Sequence, residues 1–185
     1  MKILKSIALL VILGLLVVVC LGMPPALNAA DKSTLDNEAI SKLLADAKTQ
    51  AIDLKKAAEQ LESFTRTKAS WESHAGMIEK MKEQINETGK LLAKMTDLRS
   101  SGTPWQQQAI DQITPLLKEL ATNTTATIDH LKANRSRLNT PEYRDYVIAN
   151  YDVATELTAL ISDFVDYGRT KARLENLTNK LEIER

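Results

Sequence analysis

"ISKLLADAKTQAIDLKKAAEQL", residues 40–61, carries apolar side chains at Ile40, Leu44, Ala47, Ala51, Leu54, Ala58 and Leu61. The steps between them alternate four and three, the period of one face of an α-helix and not of a strand. Lysines, acids and glutamines fill most of the other positions, so the segment reads as a helix with one side turned to a core.

The same alternation recurs three times downstream. Trp71, His74, Ile78, Met81, Ile85, Thr88, Leu92 and Met95 make a second seam, and Ile110, Ile113, Leu117, Leu120, Thr124, Thr127, Leu131 and Leu138 a third. The fourth runs through Tyr143, Val147, Asn150, Ala154, Leu157, Ile161 and Phe164 and continues past Leu174, Leu177 and Leu181. The second seam is offset in register from the first, which predicts a break between Arg66 and Ser70, with Ser70 as a helix cap and Glu72 in the first turn. Gly102 is a stop signal, and Thr103-Pro104 and Thr140-Pro141 each supply a cap followed by a first helical residue. Pro115 falls inside the third segment and predicts a kink or a split there, with Thr114 capping a restart.

The expected fold is therefore all-α: four helices at about 34–67, 70–99, 104–138 and 141–183, stacked as an antiparallel up-down-up-down four-helix bundle with coiled-coil-like seams. The last turns of the fourth helix are expected to overhang. Beyond residue 30 only Gly76, Gly89, Gly102 and Gly168 and Pro104, Pro115 and Pro141 punctuate a chain rich in Ala, Leu, Lys, Glu and Gln, which leaves little room for strands.

The front of the chain has a different logic. Lys2 and Lys5 precede an apolar run from Ile7 to Met23, and Pro24-Pro25 stop any helix before the small residues around Ala29 and Ala30. Charged, apolar and small-residue regions in that order describe a secretory signal peptide over residues 1–30. As a helix the run would span about 25 Å, short of a hydrocarbon core of about 30 Å, which favours cleavage over retention as an anchor. Cys20 raises a third fate, lipidation, but Val19 before it and Leu21-Gly22-Met23 after it suit a small hydrophobe in a signal core better. All three fates put residues 31–185 outside the cytoplasm, periplasmic or secreted, or anchored facing outward.

Without Cys20 the exported chain holds no cysteine, which removes disulfides, thiol nucleophiles and thiolate metal sites. Taking Lys2 and Lys5 from the 24 basic residues leaves 22 against 24 acidic ones, an interspersed near-neutral balance that argues against a nucleic-acid partner. About 155 residues suffice for one independent core.

The common catalytic strings are missing: there is no Gly-x-Ser-x-Gly, Ser-x-x-Lys, His-Glu-x-x-His, phosphate-binding glycine loop or Glu-x-x-His pair. Four Asn-x-Ser/Thr strings start at Asn86, Asn123, Asn134 and Asn176 and carry no functional weight. Thr124 and Thr127 fall at seam positions level with Asn150 or Ala154, a polar layer that either sets register or lines a ligand site.

An up-down-up-down bundle collects five of the eight aromatic residues and both histidines at one pole: Phe64, Trp71, His74, His130, Tyr143, Tyr146 and Tyr151. Of these, Trp71, His74, His130, Tyr143, Tyr146 and Tyr151 are candidate ligand-binding residues. Three readings of the pole stand beside one another: aromatic closure of the core, a pocket between helix ends, and chelation by His74 and His130 with an acid, for which the spacing gives no diagnostic. His74 sits on the apolar seam, whereas His130 beside Leu131 reads as solvent-facing.

These features describe an exported, non-enzymatic helical-bundle protein of the cell envelope that binds another protein or serves as a structural adaptor. The alternative is a small-ligand or metal carrier or sensor using the aromatic and histidine pole. No catalytic residue, cofactor or metal centre is expected. Membrane contact is expected only through the N-terminal segment if it is retained, and homo-oligomerisation through exposed seams is compatible with the charge pattern.

Overall fold

The computed structural model describes residues 36–67, 69–135, 138 and 140–183. The expected signal peptide, its cleavage site and Cys20 lie outside them. Among the described residues the fold is all-α, with four helices packed together and no strand: α1 (Glu38–Phe64), α2 (Trp71–Asp97), α3 (Pro104–Ala133) and α4 (Pro141–Ile183), plus a 3-10 turn at Arg99–Ser101.

The helices start where side chains can take up the free amides of a first turn. Asn37 accepts the N–H of Ile40 at 3.1 Å, Ser70 accepts that of Ser73 at 3.3 Å, and Thr140 accepts that of Tyr143 at 3.3 Å. At α3 the side chain of Gln106 reaches back to the Thr103 N–H at 3.1 Å, one half of a capping box. α1 ends at Phe64 and α2 begins at Trp71, so the two are separate helices.

Each helix packs against two others: α1 and α3 both lie against α2 and α4. All seven apolar positions of residues 40–61 named above are at most 1 % exposed. Ile78 and Met81 from α2, Ile110, Ile113 and Leu120 from α3, and Val147, Leu157 and Ile161 from α4 complete the core. Each such aliphatic side chain contributes on the order of 2 kcal/mol by leaving water.

Pro115 neither ends nor splits α3, which is helical without interruption from Pro104 to Ala133. Asp111 and Pro115 are both exposed, so the carbonyl that loses its donor is open to water, while Ile113 and Leu117 on either side are buried. Thr114 is not a cap; its hydroxyl donates to the Ile110 carbonyl one turn back at 2.7 Å.

The glycines separate into two kinds. A methyl group at Gly76 or Gly89 of α2 would meet nothing within 4 Å, whereas at Gly168 it would come within 2.8 Å of the Trp105 ring. Gly76→Ala and Gly89→Ala are therefore expected to raise stability by up to about 1 kcal/mol each through helix propensity. Gly168→Ala is expected to gain nothing or to lose, because the indole is held in place. Thermal melts of the three single variants check this, and a stabilised Gly168→Ala would show that the ring moves freely.

α4 is 43 residues long against 27 to 30 for the others. From Ala172 to Glu182 every residue is exposed, including Leu174 at 64 %, Leu177 at 48 % and Leu181 at 64 %.

Candidate functional site

Two side-chain clusters stand out, one at each end of the α1 helix. The first contains the rings expected to meet. The Phe64 and His74 rings lie 5.5 Å apart, His74 and Tyr143 5.4 Å, Tyr143 and His130 5.7 Å, and His130 and Tyr146 5.4 Å. The chain of rings thus joins the end of α1, the start of α2, the end of α3 and the start of α4.

His74 and Tyr143 are buried, and His74 Nδ1 and the Tyr143 hydroxyl share a hydrogen bond of 2.9 Å. Burial holds the His74 imidazole below its ordinary pKa and the Tyr143 phenol above its own, so both favour their neutral forms. His130 is not solvent-facing as the sequence suggests: its side chain is only 10 % exposed, with Nδ1 3.9 Å from a Glu142 carboxylate oxygen and Nε2 lacking a hydrogen-bond partner. The seam beside Leu131 is wider than a strict two-position stripe, so the neighbouring ring is covered by Tyr143 and Tyr146.

Trp71 is placed at the edge of this cluster. Its indole N–H donates to the Leu131 carbonyl at 3.4 Å, and the Arg135 guanidinium stands 4.6 Å over its ring. Tyr151 is half-buried against the core and belongs to none of the ring pairs above. The residues proposed from sequence therefore share one end, yet four rings among them and Phe64 pack upon one another while Trp71 turns toward a groove between α2 and α3. That groove encloses about 570 Å³ and is lined by Trp71, Ile78, Ile128 and Leu131, with Lys82 and Lys132 among its polar residues. Among the described residues no set of three or more His, Cys, Asp or Glu side chains is placed to hold a metal ion.

A pH dependence follows from His74. The unfolded chain takes up the proton near the ordinary value of about 6.5, while the folded chain resists it. Stability contributed by the neutral ring is therefore complete above that pH and is lost as the pH falls below it toward the lowered folded pKa. Wild type is expected to lose several degrees of melting temperature more than the double variant His74→Phe/Tyr143→Phe on going from about pH 7.5 to about pH 5. Parallel pH profiles for the two proteins would assign the acid sensitivity elsewhere.

The second cluster went unread in the sequence. Gln106 is wholly buried, and its amide oxygen accepts from the Asn37 N–H at 3.0 Å and the Thr103 N–H at 3.1 Å. The amide nitrogen donates to the Asn37 carbonyl at 2.8 Å and to Ser41 Oγ at 3.0 Å. Beside it one oxygen of Asp36 accepts from Thr103 Oγ1 at 3.0 Å, Trp105 Nε1 at 2.8 Å and Lys171 Nζ at 2.7 Å. Burial alone would raise the Asp36 carboxyl, but the hydrogen bonds from Lys171, Trp105 and Thr103 outweigh it and hold the group below its usual pKa. The one available signal was Thr103-x-x-Gln106, the spacing of a capping box. Partners 65 to 135 residues away are beyond any local pattern.

A third polar group lies within the core, between α3 and α4. Thr124 Oγ1 donates to Asn150 Oδ1 at 2.7 Å, and Asn150 Nδ2 donates to Thr127 Oγ1 at 2.8 Å and to the Tyr146 carbonyl at 2.8 Å. Its hydrogen bonds close on themselves, which is the pattern of a register-setting layer.

No helix among the described residues is long and apolar enough to cross a membrane. Comparison with protein-family models, curated proteins and solved structures yields no match to the chain.

Proposed function

We propose that this is an exported, non-enzymatic helical bundle of the cell envelope that acts by binding another protein through α4. The observation that carries the reading is the row Tyr167, Leu174, Leu177 and Leu181, exposed at 48 to 64 % along one helix that continues beyond its packing neighbours. Contiguous exposed apolar surface of that kind marks an interaction site more often than scattered surface leucines do. The rings of the aromatic pole fill one another's space, which favours partner binding over ligand carriage there.

An antiparallel up-down-up-down arrangement belongs to the same reading. Its support is that one cluster joins the end of α1 to the starts of α2 and α4, while the other joins the start of α1 to the start of α3 and to Lys171 of α4. Export rests on the order of Lys2 and Lys5, the apolar run and Ala29-Ala30.

A photoreactive phenylalanine analogue installed at Leu174 of the full chain tests the binding reading in intact cells. A covalent adduct with a protein of defined mass is expected from that position and not from Asn179. Irradiation that gives no protein adduct at Leu174 would remove the reading. The intact mass and N-terminus of the native protein test export: a chain beginning at Ala30 or Asp31 is expected, and one still carrying residues 1–30 unprocessed would count against cleavage.

A further inference from the structure

We propose that the partner of α4 is a second copy of this chain, paired antiparallel along the same helix about a two-fold axis between Thr170 and Lys171; the inference rests on the protein-binding reading above.

The apolar row does not begin at the overhang. Leu160, Tyr167, Leu174 and Leu181 recur every seven residues, and Phe164 and Leu177 flank them. Over its first half the row borders a shallow cavity of about 480 Å³ lined by Trp105, Leu160, Phe164 and Tyr167. Over its second half it is bare helix. From Leu160 to Leu181 the row is about 31 Å long. One half is thus a groove and the other half a ridge of leucines, on one continuous face.

A two-fold axis at the centre of the row lays each ridge into the other copy's groove. Tyr167 then falls level with Leu174 of the second copy, and Leu160 level with Leu181 of the second copy. An isologous contact of this kind uses one patch twice and closes at two chains.

The charges follow the same division. On one flank of the row Asp163 and Asp166 lie beside the groove half and Arg173 and Lys180 beside the ridge half, all four exposed, while the exposed Glu175 and Glu182 lie on the other flank. Asp166 already holds Lys48 at 3.1 Å and Arg169 at 3.8 Å, whereas among the described residues Asp163 is in no ion pair. In the antiparallel pairing Asp166 stands next to Arg173 of the second copy and Asp163 next to Lys180. Rim charges act on orientation more than on affinity, so their contribution is to select the antiparallel register.

The overhang argues in the same direction. The turns from Ala172 to Glu182 extend a helix that its packed first half already nucleates, and laying their leucines against a second copy takes that apolar surface out of water. A single helix pair stands near the low end of the area stable interfaces need, on the order of 1,200 Å², so the dimer is expected to depend on concentration.

Cysteine cross-linking of the full chain carrying Cys20→Ser tests the register in cells. Thr170→Cys, next to the axis, is expected to give a disulfide-linked species of twice the mass of the processed chain on mild oxidation. Leu181→Cys is expected to give none, because its own copy lies about 31 Å away, far outside disulfide reach. Adding Leu174→Asp to Thr170→Cys is expected to reduce the cross-link roughly tenfold or more. No dimer from Thr170→Cys, or equal dimer from Leu181→Cys, overturns the pairing. A photo-adduct at Leu174 with a different protein and no Thr170→Cys dimer would overturn self-pairing while leaving the protein-binding reading in place.

Discussion

Gln106→Leu is expected to lower the melting temperature by on the order of 10 °C, although leucine is of similar size and suits a buried helical position. The substitution leaves the amides of Asn37 and Thr103 without the side-chain oxygen that now accepts from them, while the Asn37 carbonyl keeps the Ser41 N–H at 3.0 Å. Thr103 is 4 % exposed, so water is a poor substitute. An orphaned buried polar group costs about 1 to 3 kcal/mol, and with relaxation of the least buried the sum is about 3 kcal/mol. For a domain of this size each kcal/mol moves the midpoint by about 2 to 4 °C. The effect also reaches beyond the local turn, because Gln106 joins the start of α3 to the start of α1 across 69 residues of sequence. Gln112→Leu, on the exposed side of the same helix, is expected to change stability by less than about 0.5 kcal/mol. If both variants melt within a degree or two of wild type, the clasp does not hold the two helices together.

The second large effect is expected at Asn150, and its sign depends on what is changed with it. Asn150→Leu alone leaves the Thr124 hydroxyl facing an apolar side chain in the core and removes the donor to Thr127. A loss of about 2 kcal/mol follows from the unpaired group. Thr127 is less affected because its hydroxyl also donates to the Asn123 carbonyl at 2.7 Å. Replacing the whole layer, as Thr124→Val/Thr127→Val/Asn150→Leu, removes both ends of each hydrogen bond and is expected to return stability to within about 1 kcal/mol of wild type or above it. Chemical denaturation of the two variants makes the comparison. A triple variant as unstable as the single one would mean that the layer contributes net stability and not register alone.

How far the sequence could be read varies along the chain, for physical reasons. The four stripes were legible because helical period is a local property, and a stripe that must leave water is written into every third or fourth residue. Ser70 and the Thr-Pro pairs were legible for the same reason, since a cap satisfies amides within three residues of itself. The meeting of Thr124 and Thr127 with Asn150 could be anticipated by counting outward from the turn that joins their helices. Pro115 could not be judged locally. Its cost depends on whether the deprived carbonyl faces water or the core, and that is settled by the packing of Ile113 and Leu117.

The sequence by itself determined the helical class, the positions of the apolar faces, and the gathering of Phe64, His74, His130, Tyr143 and Tyr146 at one end, because each depends on spacing along a single helix or across one short turn. Only the tertiary structure decided that these rings pack against one another, mostly edge to face, that His130 is covered, and that Trp71 opens onto a separate groove. It alone brought Asp36, Asn37, Thr103, Trp105, Gln106 and Lys171 together. Those contacts form between segments with no common local pattern, where a polar side chain's role is set by which neighbour excludes water from it.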